Sequence, residues 1–415
     1  MSQHDYDLLV AGAGMVGMST ALWARKEGLR VLLCDPNPPG SGTTYGSACT
    51  IATYACIPVN SPAIFSSLPR LLTSRESPLS FNLAHGLRNP GWMVAFLANC
   101  RAGKVRHITG ALGRFLRHAD AGLDPLIAEA KAEDLVINND CLYVWSSRAG
   151  YEQAREGNAM RAAQGVAFDE LSAEDVRRLE PNLLQDLYRG LLFKGARHLA
   201  SPQELVTRML ARFETLGGTY VAQRVIGSEP DDTGVTARLG DGTAVRAGHL
   251  AVTAGARSSR VPGTGAERLP LGTERGYHIL YRDHGDLVSR PVGWAEAGFY
   301  ATPMAQGLRI AGTVEINAID APVNTGCLDY LQRKSHEMFG TRLGAPDETW
   351  LGHRPTMPDS LPVIGLSPKS GRIILAFGHQ HIGLTLGGVT GKVVTDLAQG
   401  REPDPAISDF APSRF

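Results

Sequence analysis

Three glycines near the start of the chain have the spacing of a phosphate-binding turn. Gly12, Gly14 and Gly17 form a G-x-G-x-x-G that follows the apolar run YDLLVA and precedes a stretch of helical character. In such a turn the first glycine permits the sharp bend, the second lets the backbone approach a pyrophosphate, and the third lets the helix pack against the strand. The helix then directs its free N–H groups and the positive end of its dipole toward the phosphates.

An acidic residue completes this pattern. Asp35 ends a second apolar run at 30–34, where its carboxylate can accept hydrogen bonds from ribose hydroxyls. A lone G-x-G-x-x-G could be a turn that binds nothing, but strand, glycines, helix, strand and acid follow one another here within about 30 residues. The segment is therefore predicted to bind the ADP half of a dinucleotide, and the acid disfavours the 2′-phosphate of NADP.

Three later features favour FAD over NAD as this dinucleotide. A loop at 41–47 supplies hydroxyl and backbone N–H groups after the acid, a strand-like run ends in a second close-approach turn at 253–256, and a glycine-rich turn recurs at 378–388. A long cofactor that is buried along its whole length needs walls from such distant segments. Because no second G-x-G-x-x-G follows a strand, electrons are expected to come from the substrate and not from NAD(P)H.

Composition argues against several other classes of protein. In 415 residues, 41 Lys and Arg balance 41 Asp and Glu, so no overall field favours nucleic acid or an anionic membrane. Six scattered cysteines without a C-x-x-C pair argue for reduced thiols and against a disulfide scaffold or a metal site. The start has no secretory pattern and no run of about 18 apolar residues occurs. We therefore expect a cytoplasmic protein, with peripheral contact at the inner face of the membrane and oligomer formation left open.

The segments between these motifs must position them. Helical periodicity over 81–133 predicts helices that interrupt the nucleotide fold and belong to a cap, and 135–147 predicts a strand pair with its turn at 138–140. Ser201-Pro202 predicts a helix start, with serine as the cap and proline in the first position. Alternation over 271–316 predicts an antiparallel sheet in the cap.

Taken in order, these features resemble the D-amino-acid oxidase superfamily, most of all bacterial D-amino-acid dehydrogenases and their glycine-oxidase-like relatives. Five segments carry the resemblance: 12–17 with Asp35, 43–48, 201–205, 252–256 and 352–388. It is weakest at 65–135 and 317–350. It implies an α/β fold with a discontinuous Rossmann-like FAD-binding domain and a substrate domain built on a mixed or antiparallel sheet with helices. We expect the former at 1–80, 148–260 and 350–415, and the latter at 81–147 and 261–349.

The motifs and the resemblance together predict which residues contact FAD. The last helix, which begins at 383–385, would stabilise negative charge on the reduced flavin ring. No cysteine follows Cys327, so we expect FAD to be bound noncovalently. The predicted contacts are Gly12, Gly14, Met15, Val16, Gly17, Asp35, Pro36, Thr43, Thr44, Ser47, Val225, Thr253, Ala254, Gly255, Gly378, His379, Gly383, Leu384 and Thr385.

Arg354 is the residue that we predict to anchor the substrate. It lies in a block, 352–365, that resembles the arginine-proline-threonine-proline-aspartate stretch of the family. A planar guanidinium can hold a carboxylate through two hydrogen bonds, which lysine would replace poorly. A structural ion pair is the alternative. Tyr277, Tyr300 and His381 are further candidates for substrate contact, although a tyrosine in such a run is more often a sheet aromatic.

The predicted reaction is the FAD-dependent oxidative deamination of a D-amino acid. Hydride leaves Cα for flavin N5, and the imine hydrolyses to a 2-oxo acid and ammonia, with positioning and desolvation as the main contributions of the protein. Oxidation of a secondary amine such as D-proline, D-hydroxyproline or sarcosine is the alternative within the class. An FAD-binding subunit without activity is the alternative from another class. Oxygen, a quinone and a carrier protein all stay open as electron acceptors.

Overall fold

A computed structural model of the chain describes residues 4–62, 79–183 and 186–415. The described strands, numbered along the chain, are β1 (Tyr6–Ala11), β2 (Val31–Cys34), β3 (Thr50–Ile51), β4 (Leu79–Phe81), β5 (Val136–Asn138), β6 (Cys141–Trp145), β7 (Phe168–Ser172), β8 (Arg189–Phe193), β9 (Arg197–Leu199), β10 (Thr219–Val221), β11 (Val225–Pro230), β12 (Val235–Leu239), β13 (Ala244–Val252), β14 (Gly272–Tyr281), β15 (Val292–Trp294), β16 (Phe299–Met304), β17 (Gly307–Ile316), β18 (Glu348–Thr356), β19 (Val363–Ser367) and β20 (Ser370–Phe377). The described α-helices are α1 (Met15–Lys26), α2 (Leu83–Arg88), α3 (Pro90–Asn99), α4 (Ala102–Leu116), α5 (Ala119–Glu129), α6 (Arg148–Ala163), α7 (Ala173–Leu179), α8 (Pro202–Thr215), α9 (Thr325–Phe339) and α10 (Gly383–Ala398). None of these helices is both long and apolar enough to cross a bilayer.

One sheet, called here the nucleotide sheet, has β10, β2, β1, β13 and β20 side by side and parallel. Leu8, Leu9 and Val10 of β1 are fully buried, as expected of a parallel strand that is covered on both faces. Strands β12 and β19 extend this core antiparallel to β13 and β20. Because parallel strands all end at one edge, the segments after β1, β2, β13 and β20 meet there, although they are far apart in the chain.

The second sheet has the strand order β18-β14-β17-β16-β15-β6-β8-β7, with β4 added beside β17. Its neighbours are antiparallel except for the pairs β6–β15 and β4–β17. Alternate residues of β14 point to opposite faces. Tyr277, Ile279 and Tyr281 join the buried core beneath α9, so the residues between them face the other way. The antiparallel strands predicted at 271–316 are confirmed, and so is the α/β fold with a Rossmann-like unit and a mixed sheet.

The prediction that the two strands at 135–147 pair with each other is wrong, although both strands form. Strand β5 pairs with β9, whereas β6 pairs with β8 and β15. Asp140 has a φ of 61°, and its carboxylate accepts a hydrogen bond from the backbone N–H of Gly195 at 2.8 Å. The turn residues therefore direct the chain from one sheet into another.

Helices α4 and α5, which we expected in the cap, pack instead against α10, the helix that follows β20 of the nucleotide sheet. The close contact is made by Gly122 of α5, where a Cβ would overlap the backbone of Gly388 and Val389. The domain boundaries themselves stay a prediction, and their part at 63–78 lies outside the described residues.

This contact gives a prediction about stability. Gly122→Ala should lower the free energy of unfolding by about 1–3 kcal/mol, because backbone atoms of α10 leave no room for a methyl group. Gly103→Ala, near the start of the neighbouring helix α4, is the matched control, since nothing lies within 4 Å of its Cβ position. It should leave the stability unchanged or raise it by up to about 1 kcal/mol. Equal losses in the two variants, measured by denaturant unfolding, would contradict the close packing.

Candidate active site

A cavity of about 930 Å³ lies between the carboxyl edge of the nucleotide sheet and one face of the second sheet. At its nucleotide end the N–H of Ala13 donates to Asp35 Oδ2 at 2.8 Å, and the N–H of Met15 donates to Thr44 Oγ1 at 3.0 Å. The N–H of Asn37 donates to the other oxygen of Asp35 at 2.9 Å. Asp35 thus fixes the glycine turn from the next strand while it also lines the cavity.

Thr253 holds the same turn from the other side. Its hydroxyl lies 3.0 Å from the carbonyl oxygens of Ala11 and Gly12, so it is occupied within the protein. Gly12 has a φ of +111°, and a Cβ there would lie 2.7 Å from the Cα of Ala254. The first glycine is therefore required both by its backbone conformation and by the approach of the 253–255 turn.

Two helices begin at this cavity, and the residue before each of them does not cap it with a side chain. Helix α1 follows Gly14 and α10 follows Ile382. Residues of both first turns line the cavity. Apart from the N–H of Met15, which donates to Thr44, first-turn N–H groups and two positive dipole ends face one space, as a cofactor with a pyrophosphate and an anionic reduced ring requires.

The turn before α10 is held by buried contacts. Gly378 has a φ of +88°, and Gln380 has a φ of 49°. The ring Nε2 of His379 lies 3.0 Å from the hydroxyl of Thr390, and burial lowers the pKa of His379 to about 3. The hydroxyl of Thr385 accepts a hydrogen bond from the N–H of Ala52 at 2.9 Å. His379 is thus neutral near pH 7 and joins the turn to its helix.

Most of the predicted cofactor residues line this one cavity, and three do not. Gly17, Gly378 and Thr385 lie behind its wall, where Gly17 packs on Gly12 and the other two shape the turn before α10. Those that line it are Gly12, Gly14, Met15, Val16, Asp35, Pro36, Thr43, Thr44, Ser47, Val225, Thr253, Ala254, Gly255, His379, Gly383 and Leu384. Of the six cysteines, Cys34 lines the cavity at the nucleotide end, and all six are free and buried.

Arg354 on β18 lies at the other end, and its guanidinium crosses β14. A Cβ at Gly276 would lie 2.5 Å from Arg354 Cζ, so the absent side chain of this glycine provides the space for the guanidinium. Nη1 donates to the carbonyl oxygen of Thr313 at 3.0 Å. Among the described residues, Nε and Nη2 of Arg354 have no hydrogen-bond partner, and both atoms are accessible from the cavity. Burial lowers the pKa of Arg354, and the charge of Glu274 opposes this.

The carbonyl that receives Arg354 belongs to an unusual backbone position. Thr313 has a φ of 55°, which a β-branched residue rarely adopts, and it lies where the register between β14 and β17 shifts. A β-bulge of this kind redirects backbone groups beside functional sites. Here it turns the carbonyl of Thr313 toward the guanidinium.

Glu274 is a cavity residue that the sequence analysis missed. It is 1% exposed and lies directly opposite Arg354 in the antiparallel register. Its Oε1 lies 3.5 Å from Nε2 of Gln380, and burial raises the pKa of Glu274. An acidic residue within a run that predicts a buried strand was the available signal, but only the register shows that it faces the arginine.

The three remaining candidates for substrate contact differ in where they point. Tyr300 lines the cavity, and its hydroxyl contacts those of Tyr143 and, at 3.3 Å, Tyr54. His381 also lines it, and the surrounding protein and the charge of Arg354 lower the pKa of His381 to about 4. Tyr277 does not: its hydroxyl donates to Glu315 at 2.5 Å, within the core beneath α9. The prediction that Tyr277 contacts substrate is therefore not supported by its placement.

Comparisons with a family model, with related sequences and with solved structures all match this chain to flavin-dependent or amino-acid-oxidising enzymes. A family model described as FAD dependent oxidoreductase (DAO) matches residues 7–397. A D-amino-acid oxidase of Bradyrhizobium diazoefficiens is 30% identical over 417 residues, which is 98% of this chain and 98% of that protein. A D-amino acid dehydrogenase of Helicobacter pylori is 23% identical and covers 95% of both chains. The solved glycine oxidase of Geobacillus kaustophilus has a TM-score of 0.78 at 17% identity over 100% of both chains.

The nucleotide end gives a prediction about cofactor retention. Asp35→Ala should lower the FAD content of purified protein, because it removes the acceptor for the N–H of Ala13 together with the carboxylate in the cavity. Asp186→Ala, whose side chain is fully exposed, is the matched control and should retain full FAD. The flavin-to-protein absorbance ratio after gel filtration measures the effect. Full occupancy in both variants would remove Asp35 from the site.

Proposed function

This chain belongs to the DAO family of FAD-dependent oxidoreductases, and on that premise we propose that it catalyses the oxidative deamination of D-amino acids. Action on amino acids or amines, with FAD as the cofactor, follows from the family and its relatives. The D-configuration of the substrate is the more specific part of the proposal, and the D-amino-acid oxidase that is 30% identical to this chain supports it.

The observation that carries the proposal is the state of Arg354. Its guanidinium is fixed by Gly276 and by the carbonyl of Thr313, while Nε and Nη2 keep no partner among the described residues. A substrate α-carboxylate can accept from these two N–H groups at once, which sets both its position and its orientation. An arginine in a structural ion pair would have a carboxylate within 4.0 Å, and the described residues offer none at Arg354.

Two histidines of the cavity add no charge to the reaction space. His381 and His379 are uncharged near pH 7 because their pKa values lie at about 4 and about 3. Tyr300 directs its hydroxyl into a cluster of tyrosine hydroxyls. Bound FAD supplies the hydride acceptor, and water then converts the imine product into a 2-oxo acid and ammonia. The protein's own contribution is to orient Cα–H and to exclude water before that oxidation.

Anaerobic mixing with amino acids tests the reaction itself. D-Amino acids should bleach the visible flavin band, and their L-enantiomers should leave it unchanged. Faster bleaching by D-proline or sarcosine than by any primary amine would establish the secondary-amine alternative instead. If no amine bleaches the band, the protein is an FAD-binding subunit without this activity. Reoxidation of the reduced enzyme by oxygen and by an artificial quinone, in parallel, identifies the class of electron acceptor.

Two variants test the carboxylate anchor. Arg354→Lys should raise KM by about 10- to 100-fold at full FAD content, because it loses a charge-assisted hydrogen bond and the planar fork. Gly276→Ala should act in the same direction, since its methyl group would displace the guanidinium. Gly371→Ala, where a Cβ meets nothing within 4 Å, controls for the exchange of glycine by alanine. An unchanged KM in both site variants would refute the anchor.

A further inference from the structure

The cavity continues beyond Arg354 along the second sheet. Tyr300 of β16, Gly293 of β15 and Tyr143 of β6 lie side by side in register, and all three line it. A Cβ at Gly293 would lie 3.0 Å from the ring of Tyr143, so the glycine makes room between the two tyrosines. The cavity therefore has an aromatic arm, which we define by Tyr300, Gly293, Tyr143 and Arg161 at its end.

Arg161 of α6 brings an unneutralised charge to this arm. Its guanidinium carbon lies 6.0 Å from the ring centre of Tyr143 and 5.5 Å from that of Phe193. Nη1 donates to Asn158 Oδ1 at 2.8 Å, while Nε is buried without a partner. Nη2 has no partner among the described residues and is not buried, so it is available to a ligand.

The acid that also lines the arm is engaged elsewhere. Glu296 accepts from the N–H groups of Ser146 and Ser147, both at 3.0 Å, and from the indole N–H of Trp294 at 3.2 Å. Both of its oxygens thus receive donors at the start of α6. Within the described residues no carboxylate lies within 4.0 Å of Arg161, and a charged guanidinium without a counter-charge in a cavity favours an anionic ligand.

We propose that the aromatic arm is the subsite for the substrate side chain and that Arg161 binds an anionic group there. The proposal rests on the proposed function and names its substrate class: amino acids with a second carboxylate. The guanidinium of Arg354 donates to the carbonyl oxygen of Thr313 on β17. Strand β6 is the third strand from β17 in the sheet, so the backbones of β17 and β6 are roughly 14 Å apart. The guanidinium of Arg161 lies beside the rings of Tyr143 on β6 and Phe193 on β8, and this separation from Arg354 favours an acidic side chain longer than that of aspartate.

The test compares D-glutamate with D-glutamine, which have nearly the same shape and differ in charge. The wild-type holoenzyme should oxidise D-glutamate with a kcat/KM about 10- to 100-fold above that for D-glutamine. Arg161→Met keeps the aliphatic stem, and in this variant the ratio of the two kcat/KM values should fall to about one at unchanged FAD content. Arg155 lies on the same helix, and its side chain is 81% exposed. Arg155→Met should leave the ratio of kcat/KM for D-glutamate to that for D-glutamine at its wild-type value.

Ligand binding gives a readout that needs no turnover. Glutarate should perturb the flavin spectrum of the wild-type holoenzyme at lower concentration than butyrate, and Arg161→Met should abolish this difference at unchanged FAD content. Equal binding of the two acids in the wild type would overturn the subsite. Oxidation of neutral D-amino acids without preference for D-glutamate would overturn the subsite alone. Failure of every amine to reduce the flavin would overturn the proposed function, and the glutarate comparison would still decide the role of Arg161.

Discussion

The geometry of the site depends on the buried guanidinium of Arg309. This residue of β17 is 1% exposed and donates to the carbonyl oxygens of Tyr45, at 2.7 Å, and Ser47, at 3.2 Å. The loop that it holds follows β2 of the nucleotide sheet, whereas β17 belongs to the second sheet. A charged donor that meets carbonyl oxygens in the interior cannot be released without a large desolvation cost. The two walls of the cavity are therefore held together by hydrogen bonds as well as by packing.

Further contacts in the same loop extend this connection to the substrate end. The hydroxyl of Thr43 donates to the carbonyl oxygen of His353 at 2.9 Å, one residue before Arg354. A Cβ at Gly46 would overlap the ring of Trp350 on the same strand. Because one loop contacts both the cofactor space and the strand of Arg354, the distance between the cofactor space and the proposed carboxylate anchor is set by the protein and not by the ligands.

The sequence predicted the parts of this site that depend on local patterns. The turn at 12–17 and the acid at 35 follow one another along the chain, so the strand, the helix and the glycines could be recognised without knowledge of the fold. The direction of a side chain in a sheet depends on register, and Tyr277 therefore resembled Tyr300 in the sequence although it points to the opposite face. Glu274 was missed for the same reason, because its neighbours Arg354 and Gln380 come from segments more than 70 residues away. Arg161 was missed because the sequence does not show that its helix packs beside the rings of Tyr143 and Phe193 in the second sheet. The turn at 138–140 has hairpin residues, but bonds to residues 195 and 198 decide where it leads.

The separation of the cofactor walls also has a consequence for biosynthesis. Strand β1 lies between β2, which follows within 30 residues, and β13, which is made only after residue 244. Strand β20 and the turn before α10 come later still, near residue 380. The chain must therefore be synthesised as far as the start of α10 before the binding space closes. Pairings between strands far apart in the sequence also slow folding. The complete binding space thus forms only after β20 has been made, and the edge of β13 that β20 covers stays unpaired until then.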